Sequence, residues 1–294
     1  MIGINSTYKL KLADLYFDVT SFYDKYTLAM FNDYMVDSIP ADSICYKVDC
    51  TLTQSELCEP KGQKLTEREV YNYYLMPDGT YSQSVYDAEN ECISAIINFD
   101  NNRKYAEVIL CDVAKRFGID DEFFLYNMLE RLYRLAVVFN SGFVVHASSV
   151  VYGGYGLAFS AESGTGKSTH TQLWLDNYEG TYILNDDGPV MRKIDGNWYI
   201  YGSPWAGTTG INANKKVPLK ALVFLERSKE NTIRDCAPTE ALQRIFEATI
   251  HPVSDEMTEL ILNSFSDFLT NSRVCILGCN ISSEAAEVVK NHLF

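Results

Sequence analysis

Apolar and polar residues alternate along the first third of the chain, as they do in β-strands that bury one face. The alternation predicts strands at residues 8–19, 43–52 and 95–99. A Met-Pro-Asp-Gly sequence at 76–79 separates two tyrosine-rich segments, 70–75 and 81–86, and Pro-Asp-Gly favours a tight reversal, so a β-hairpin is predicted there. The charged stretch 56–69 is predicted to be a loop.

A different pattern begins near residue 120, where apolar residues recur at helical spacing. They form one stripe, which consists of Phe124, Leu125, Met128, Leu129, Leu132 and Leu135. The stripe predicts a helix over residues 120–140 that joins two halves of the chain. We place the boundary between the two halves at residues 116–120. The prediction is a β-rich N-terminal region, residues 1–118, and a second domain, residues 119–294. The N-terminal region is a candidate surface for binding an acceptor or partner.

Strands and helices are mixed in the second half. Apolar runs predict strands at residues 142–152, 155–160, 181–184, 219–226 and around Cys275, and a hairpin over 190–201 that turns at Asp195-Gly196. Helical spacing predicts helices at residues 168–178, 239–249 and 284–292. The predicted fold class is therefore α/β (mixed α+β), preceded by the β-rich region.

The most informative segment passes from the apolar strand 155–160 into a glycine-rich turn and then a helix. This order is typical of a phosphate-binding loop (P-loop), in which small residues let successive backbone N–H groups face one anion. A lysine reaches the outer phosphates and a hydroxyl holds Mg²⁺. The matching residues are Ser163, Gly164, Thr165, Gly166, Lys167, Ser168 and Thr169. The first position departs from the usual pattern, because Ala161 stands where glycine is expected.

Two acidic residues, Asp186 and Asp187, follow the predicted strand 181–184. One carboxylate at such a strand end can hold a metal ion, and a second can accept a proton from an attacking hydroxyl. The alternative is an Asp-Asp-Gly turn without chemistry. His146 lies in the predicted strand 142–152, where it is either a core histidine or, by alternation, a residue directed to the strand end near the phosphates.

Together, His146, the Gly166-Lys167-Ser168 loop and the Asp186-Asp187 pair resemble the catalytic domain of bacterial HPr serine kinase/phosphorylase. ATP-dependent phosphoenolpyruvate carboxykinase looks like a more distant relative. The resemblance covers residues 143–225, and it implies a P-loop core with a mixed sheet that uses ATP and Mg²⁺. It also implies that HPr kinase-like oligomers are one assembly state to consider, although no self-complementary face can be read from the sequence.

Carried over to this chain, the resemblance implies a role for each residue. Lys167 would bind the β- and γ-phosphates, and Ser168 would hold Mg²⁺. We favour Asp186 as the second metal partner and Asp187 as the catalytic base, although the sequence does not separate them. His146 would support the base or the phosphates, and all four charged residues are candidate catalytic groups.

These residues predict an ATP-dependent kinase that transfers the γ-phosphoryl group to a hydroxyl, with serine of a peptide or small protein as the acceptor. The alternative is a non-catalytic ATP-binding regulatory or scaffold protein. Phosphoenolpyruvate synthesis is a third reading, disfavoured because no set of basic residues for a dicarboxylic acid is evident.

The segment 201–214 resembles a family loop over the acceptor. Candidate sources of additional positive charge are Lys215, Lys216, Arg227 and Arg244.

Composition narrows the classes of partner. With 39 acidic against 25 basic residues, the formal net charge is −14, which argues against a general affinity for nucleic acid or anionic membranes. The N-terminus lacks the features of a secretory signal, and no run of eighteen apolar residues follows, so we expect a cytoplasmic protein. The eight cysteines lack metal-binding spacing and are predicted to be reduced and structural.

Overall fold

The computed structural model describes residues 6–22, 29–88, 91–111, 121–162, 164–249, 252 and 254–294, without the side chains of 121 and 122. Ser163 and the predicted boundary after residue 118 lie outside the described residues, so both stay predictions. The chain divides into two compact units, Met1–Tyr133 and Arg134–Phe294. Helix α1 (Asp121–Val138), which is part of the predicted helix, contains the division.

In its described residues, the first unit consists mainly of one eight-stranded sheet and a 3₁₀ helix at Ala29–Tyr34. Its strands are β1 (Ser6–Leu12), β2 (Leu15–Ser21), β3 (Cys45–Thr53), β4 (Gln63–Lys64), β5 (Tyr71–Leu75), β6 (Tyr81–Asp87), β7 (Cys92–Phe99) and β8 (Tyr105–Cys111). The strand order is β1-β2-β3-β8-β7-β6-β5-β4. The sheet is mixed, because β3 is parallel to β2 and β8 while the other pairs are antiparallel.

Sequence patterning located most of these strands but not every turn. The hairpin of β5 and β6 forms as predicted, with Met76 N–H bonded to Thr80 O at 2.8 Å. The predicted strand 8–19 is wrong as one element, because it is the β1–β2 hairpin. Its two turn residues, Ala13 and Asp14, both have positive φ, 48° and 60°. A two-residue turn preserves the alternation of buried and exposed faces, so the pattern runs through it unchanged.

The second unit contains a nine-stranded sheet in the described part of the chain. Its strands are β9 (Gly142–Val144), β10 (Ala147–Tyr152), β11 (Tyr155–Ser160), β12 (Tyr182–Asn185), β13 (Val190–Ile194), β14 (Asn197–Tyr201), β15 (Lys216–Arg227), β16 (Thr232–Asp235) and β17 (Arg273–Cys279). Its helices among the described residues, besides the end of α1, are α2 (Lys167–Asn177), α3 (Pro238–Glu247), α4 (Asp255–Asn271), α5 (Glu284–Leu293) and a 3₁₀ turn at Gly207–Thr209. The chain is thus a mixed α+β protein, compatible with the predicted α/β class.

The topology of this sheet brings several chain segments to one edge. β10 lies between β11 and β12 and is antiparallel to both, so β11 and β12 point in the same direction. β15 is parallel to β11, and β17 is parallel to β15. The carboxyl ends of β11, β12 and β15 therefore meet at the edge where β10 begins, and such an edge is a common place for ligands in α/β sheets.

The predicted strand 142–152 is interrupted at residues 145–146, which is a correction to the sequence prediction. β9 pairs with β13, whereas β10 pairs with β11 and β12, so the chain changes partners at this point. The backbone N–H of Val145 instead bonds Pro189 O at 3.2 Å, and that of His146 bonds Ala248 O at 2.8 Å. His146 therefore stands at the start of β10, at the sheet edge just described.

Helix α2 is fixed to this sheet by a buried aromatic residue. Trp174 is fully buried with Phe159, Val150 and Val223 in one cluster of the core. Its ring lies 6.1 Å from that of Phe159 on β11. Burial of such large side chains is the main source of packing energy in a core. The helix that follows the glycine-rich loop is thereby held against the strand that precedes it.

No helix in the described part of the chain has both the length and the apolar character needed to cross a membrane.

Candidate functional site

The loop between β11 and α2 has the backbone geometry that an anion site requires. Gly164 and Gly166 have φ of 76° and 112°, in the left-handed region that favours glycine. Gly166 is the N-cap of α2 and has no side chain to cap the first N–H groups. Because the N-terminus of a helix also carries a partial positive charge, these N–H groups can bind an anion. Arg227 at the end of β15 donates to Gly164 O at 2.7 Å and braces the loop.

Ser168, in the first turn of α2, faces Asp186, which directly follows β12. Its hydroxyl lies 3.2 Å and 3.3 Å from the two carboxylate oxygens of Asp186. Asp186 is 8% exposed and also accepts a hydrogen bond from Ser148 Oγ at 2.5 Å. A hydroxyl and a carboxylate this close provide two oxygen ligands of the type that Mg²⁺ prefers. Ser148 was missed in the sequence, although its position two residues after His146 in the same predicted strand was the available signal.

Lys167, His146 and Asp187 form a continuous chain of hydrogen bonds. Lys167 Nζ lies 2.9 Å from His146 Nε2 and 3.2 Å from Ala161 O, and His146 Nδ1 lies 3.0 Å from Asp187 Oδ1. An ammonium can only donate, so Nε2 is the acceptor and Nδ1 carries the proton that Asp187 accepts. The structure therefore brings together the four predicted catalytic residues, with Asp186 and Asp187 bonded to different partners.

The two carboxylates and the lysine influence one another electrostatically. The hydrogen bond from His146 holds the pKa of Asp187 below its ordinary value, against the effect of desolvation, and the charges of Arg134 and Lys167 act in the same direction as the histidine. Burial lowers the pKa of Lys167, while Asp187 and Asp186 act in the opposite direction. Asp187 is therefore an ionised proton acceptor at neutral pH.

A buried asparagine fixes the turn that carries the acid pair. The Oδ1 atom of Asn185 accepts from the backbone N–H groups of Asp187 and Gly188 at 2.9 and 2.7 Å. Its Nδ2 donates to Ser203 O and Trp205 O at 2.8 and 3.2 Å. Asn185 is fully buried, so these bonds are shielded from water. The sequence reasoning did not single it out, although asparagine before Asp-Asp-Gly is a signal for such a side-chain turn.

The segment 202–215, between β14 and β15, lies against the acid pair. The backbone N–H of Asp186 bonds Ile211 O at 3.2 Å. A Cβ atom added to Gly207 would come within 3.1 Å of the Asp187 Cβ, and Gly207 has φ of 60°. The segment thus packs directly beside the carboxylates. That the segment 201–214 covers an acceptor stays a prediction.

A cavity of about 1110 Å³ opens beside the glycine-rich loop. Among the described residues, its lining includes three cations, namely Arg134, Arg227 and Arg244, and four acids, namely Glu162, Glu226, Glu240 and Glu247. It also reaches His146, the residue that bonds Asp187. Arg134 on α1 was not identified from the sequence, where nothing distinguishes it from other polar residues on a helix.

The predicted sources of positive charge differ in their positions. Arg227 braces the loop, and Arg244 pairs with Glu226 and, at 3.3 Å, with Glu240. Lys215 and Lys216 instead lie over aromatic rings, with Nζ 4.3 Å from the ring centre of Tyr182 and 4.4 Å from that of Tyr199, respectively. Stacking on these half-buried rings is a sufficient reason for their positions, and neither lysine is among the described residues that line the cavity above.

One further cluster of potential metal ligands consists of Asp235, Cys275 and His292. Arg273 lies within it, with Nη2 2.8 Å from Asp235 and 3.0 Å from His292 Nε2. Burial raises the pKa of Cys275 to about 12, so the residue is a thiol at neutral pH. A guanidinium and a protonated thiol disfavour a cation, and the predicted structural role of Cys275 in strand β17 accounts for its position.

Comparison with known proteins does not show a family for this chain. No family model matches the chain, and no curated protein matches it. Among solved structures, the HPr(Ser) kinase/phosphatase from Coxiella burnetii is similar over 51% of this chain and 95% of that chain, with 13% sequence identity and a TM-score of 0.31. A TM-score of this size does not establish a shared fold, so the family resemblance stays a prediction.

Proposed function

We propose that this protein is an ATP-dependent kinase that transfers the γ-phosphoryl group to a hydroxyl, with serine of a peptide or small protein as the acceptor. The observation that carries the proposal is the arrangement of two adjacent carboxylates with separate partners. Asp186 faces Ser168, and Asp187 faces His146. Phosphoryl transfer needs positioning, charge neutralisation and a proton acceptor, and this edge of the sheet supplies residues for each.

The glycine-rich loop would bind the triphosphate through the uncapped N–H groups of α2 and the ammonium of Lys167. Ser168 and Asp186 would hold Mg²⁺, since both offer oxygen atoms within 3.3 Å of each other. When bound, Mg²⁺ would neutralise charge on the phosphate oxygens. The burial of Asp186 and its bond from Ser148 support a fixed ligand rather than a mobile base.

Asp187 is better suited to the proton transfer. Its side chain is 35% exposed, so a substrate can reach it. In the proposed step the acceptor hydroxyl loses its proton to an oxygen of Asp187 while the hydroxyl oxygen bonds the γ-phosphorus, and the bond from that phosphorus to the β-phosphate oxygen breaks to release ADP. The low pKa of Asp187 keeps it ionised, and therefore ready to accept, at neutral pH.

His146 acts through its neighbours in this proposal. By donating to Asp187 and accepting from Lys167, it holds one oxygen of the base and leaves the other for the acceptor hydroxyl. The cavity that reaches His146 has a volume of about 1110 Å³, and its mixture of arginine and glutamate side chains favours a polar acceptor.

The test is to incubate cell extract with the purified protein and γ-labelled Mg-ATP and to search for new phosphorylated species by mass spectrometry. We expect a labelled peptide or protein with the wild type and at least a hundredfold less, in order of magnitude, with Asp187→Asn. Asp176→Asn is the matched control, because Asp176 is an exposed residue of α2 that bonds Gln172. It should behave as the wild type.

The alternative, an ATP-binding scaffold, predicts a different result. A scaffold would bind Mg-ATP, yet the wild type would yield neither ADP nor a labelled product with any extract, and Asp187→Asn would change nothing. That outcome would reject the kinase while retaining nucleotide binding. Failure to bind Mg-ATP at all would reject both functions.

A further inference from the structure

A second cavity, of about 440 Å³, adjoins the glycine-rich loop and has no role in the mechanism above. Residues that line it include Gly166, Thr169, His170, Leu173, Leu225 and Ile281. The volume falls within the roughly 300–1,000 Å³ typical of small-molecule sites. Thr165 and Arg227 line both cavities, so the tip of the loop and the end of β15 lie at the boundary between them.

The position of this cavity along α2 indicates how a ligand would enter it. Gly166, Thr169, His170 and Leu173 are spaced as i, i+3, i+4 and i+7, which places them on one face of the helix. The cavity therefore begins at the N-terminal turn, where an anion would bind, and continues along the helix. A ligand whose anionic end occupies the loop would lay its remaining part along this face.

Six polar residues that line the cavity are exposed or half-buried: Thr165, Thr169, Glu226, Arg227, Ser228 and Asn280. The buried polar residue that such a ligand would meet is His170. It is 3% exposed, and its Nε2 accepts a hydrogen bond from Trp174 Nε1 at 3.3 Å. Since indole N–H can only donate, Nε2 is unprotonated and the neutral ring carries its proton on Nδ1. Within the described part of the chain, Nδ1 is a buried atom with no hydrogen-bond partner. Buried donors are normally paired, and leaving one unpaired is costly.

The rest of the cavity is suited to a flat apolar group. Leu173 and Leu225 line it, and Ile281 leaves 81% of its surface exposed at the same cavity. An isoleucine this exposed has no packing role in the isolated chain, but it can cover the face of a ring that lies in the cavity. Leu173, Leu225 and Ile281 thus provide an apolar part of the lining beside the buried donor of His170, and apolar surface with a few placed polar groups is the usual composition of a small-molecule site.

We propose that the 440 Å³ cavity holds the nucleoside part of ATP, with the base between Leu173 and Ile281 and with His170 Nδ1–H donating to a nitrogen acceptor of the base. The proposal rests on the proposed function, because it takes the triphosphate to lie on the glycine-rich loop. It adds that the base, and not only the phosphates, contributes to recognition. The nucleoside would then occupy one cavity and the acceptor the other, with the γ-phosphoryl group between them.

The test compares two probes by calorimetry in the presence of Mg²⁺: ATP, and tripolyphosphate, which lacks a nucleoside. We expect wild type to bind ATP about tenfold or more tighter than tripolyphosphate. His170→Phe retains the ring contact with Phe159 but removes the donor. It should lose about tenfold in ATP affinity and leave tripolyphosphate affinity unchanged. Using the ratio of the two affinities cancels any general effect of the variant on folding.

A second variant avoids the core. Ile281→Ser changes an exposed residue and should weaken ATP alone, whereas Leu262→Ser, at an exposed position of α4, is the matched control and should weaken neither probe. Lys167→Ala should weaken both probes. If wild type binds both probes equally and the His170 and Ile281 variants keep that ratio, the nucleoside site is rejected while the phosphate site stands. If wild type binds neither, the proposed function fails and the nucleoside site fails with it.

Discussion

The hydroxyl of Ser168 lies within 3.3 Å of both carboxylate oxygens of Asp186, whereas the next residue, Asp187, bonds His146 instead. Two adjacent acids therefore have different surroundings: one is buried between hydroxyl groups, and the other is accessible and paired with an imidazole. This difference supports separate tasks for them, which can be distinguished by substitution.

Asp186→Asn should raise the Mg²⁺ concentration required for turnover by about tenfold or more, because it removes the charge of a proposed metal ligand and leaves the shape nearly unchanged. Titration of turnover with Mg²⁺ at saturating ATP measures the effect. Asp187→Asn is the control, since it should lower the maximal rate without changing the Mg²⁺ requirement. An unchanged Mg²⁺ requirement in Asp186→Asn would contradict the assignment.

Removing the imidazole should change the pH dependence of turnover. The hydrogen bond from His146 is the main cause of the low pKa of Asp187, so His146→Phe should raise that pKa. Because the base acts only when ionised, the acid limb of the kcat profile should move to higher pH. A profile that falls uniformly at all pH values would instead indicate a general structural effect, and His146→Gln, which retains a donor, should restore part of the wild-type profile.

Asn185→Ala should destabilise the second unit. It removes a fully buried side chain that pairs two backbone donors of the acid turn and two carbonyls of the segment 202–215. A buried group left unpaired costs about 1–3 kcal/mol. Water that enters the space left by the side chain can pair with some of the four groups, so we expect a loss of at least about 2–4 kcal/mol. Denaturant unfolding measures it. Asn177→Ala is a suitable control, because Asn177 is an exposed residue at the end of α2.

Acid should destabilise the protein partly through His170. Burial lowers the pKa of His170 from 6.5 to about 4, so between these values the unfolded chain binds a proton that the folded protein does not. Stability is therefore retained above pH 6.5 and lost as the pH falls toward 4, by about 2–3 kcal/mol at pH 4.5. His170→Phe should show a smaller loss than wild type between pH 7 and 4.5 in denaturant unfolding. Equal losses would contradict the prediction.

Local sequence signals were sufficient where one segment determines its own structure. The strand β11, the glycine-rich loop and helix α2 follow from apolar spacing and from glycine positions, and the β13–β14 hairpin follows from its Asp-Gly turn. The placement of Asp186 and Asp187 after β12 was predictable for the same reason. Helix α4 was missed, although Ser254 caps it by accepting from Met257 N–H at 3.2 Å.

Features that depend on which segments meet could not be read from the chain. The interruption at His146 arises because β9 and β10 pair with different strands. An apolar run in the sequence does not show which strands it will pair with. The bond from Ser148 to Asp186 joins residues 38 positions apart. Lys215 and Lys216 were candidate sources of positive charge because they directly follow the segment 201–214 in the sequence. In the structure their ammonium groups lie over nearby tyrosine rings instead.

The main chain of His146 links the end of helix α3 to the end of strand β11. Its N–H is bonded to Ala248 O, immediately after α3, and its C=O accepts from Ser160 Oγ, at the end of β11, both at 2.8 Å. Helix α3 also forms one wall of the larger cavity. Under the proposed function, an acceptor that displaced α3 would also displace His146, which bonds Asp187, so a poorly fitting acceptor would lower the rate of transfer as well as its own affinity.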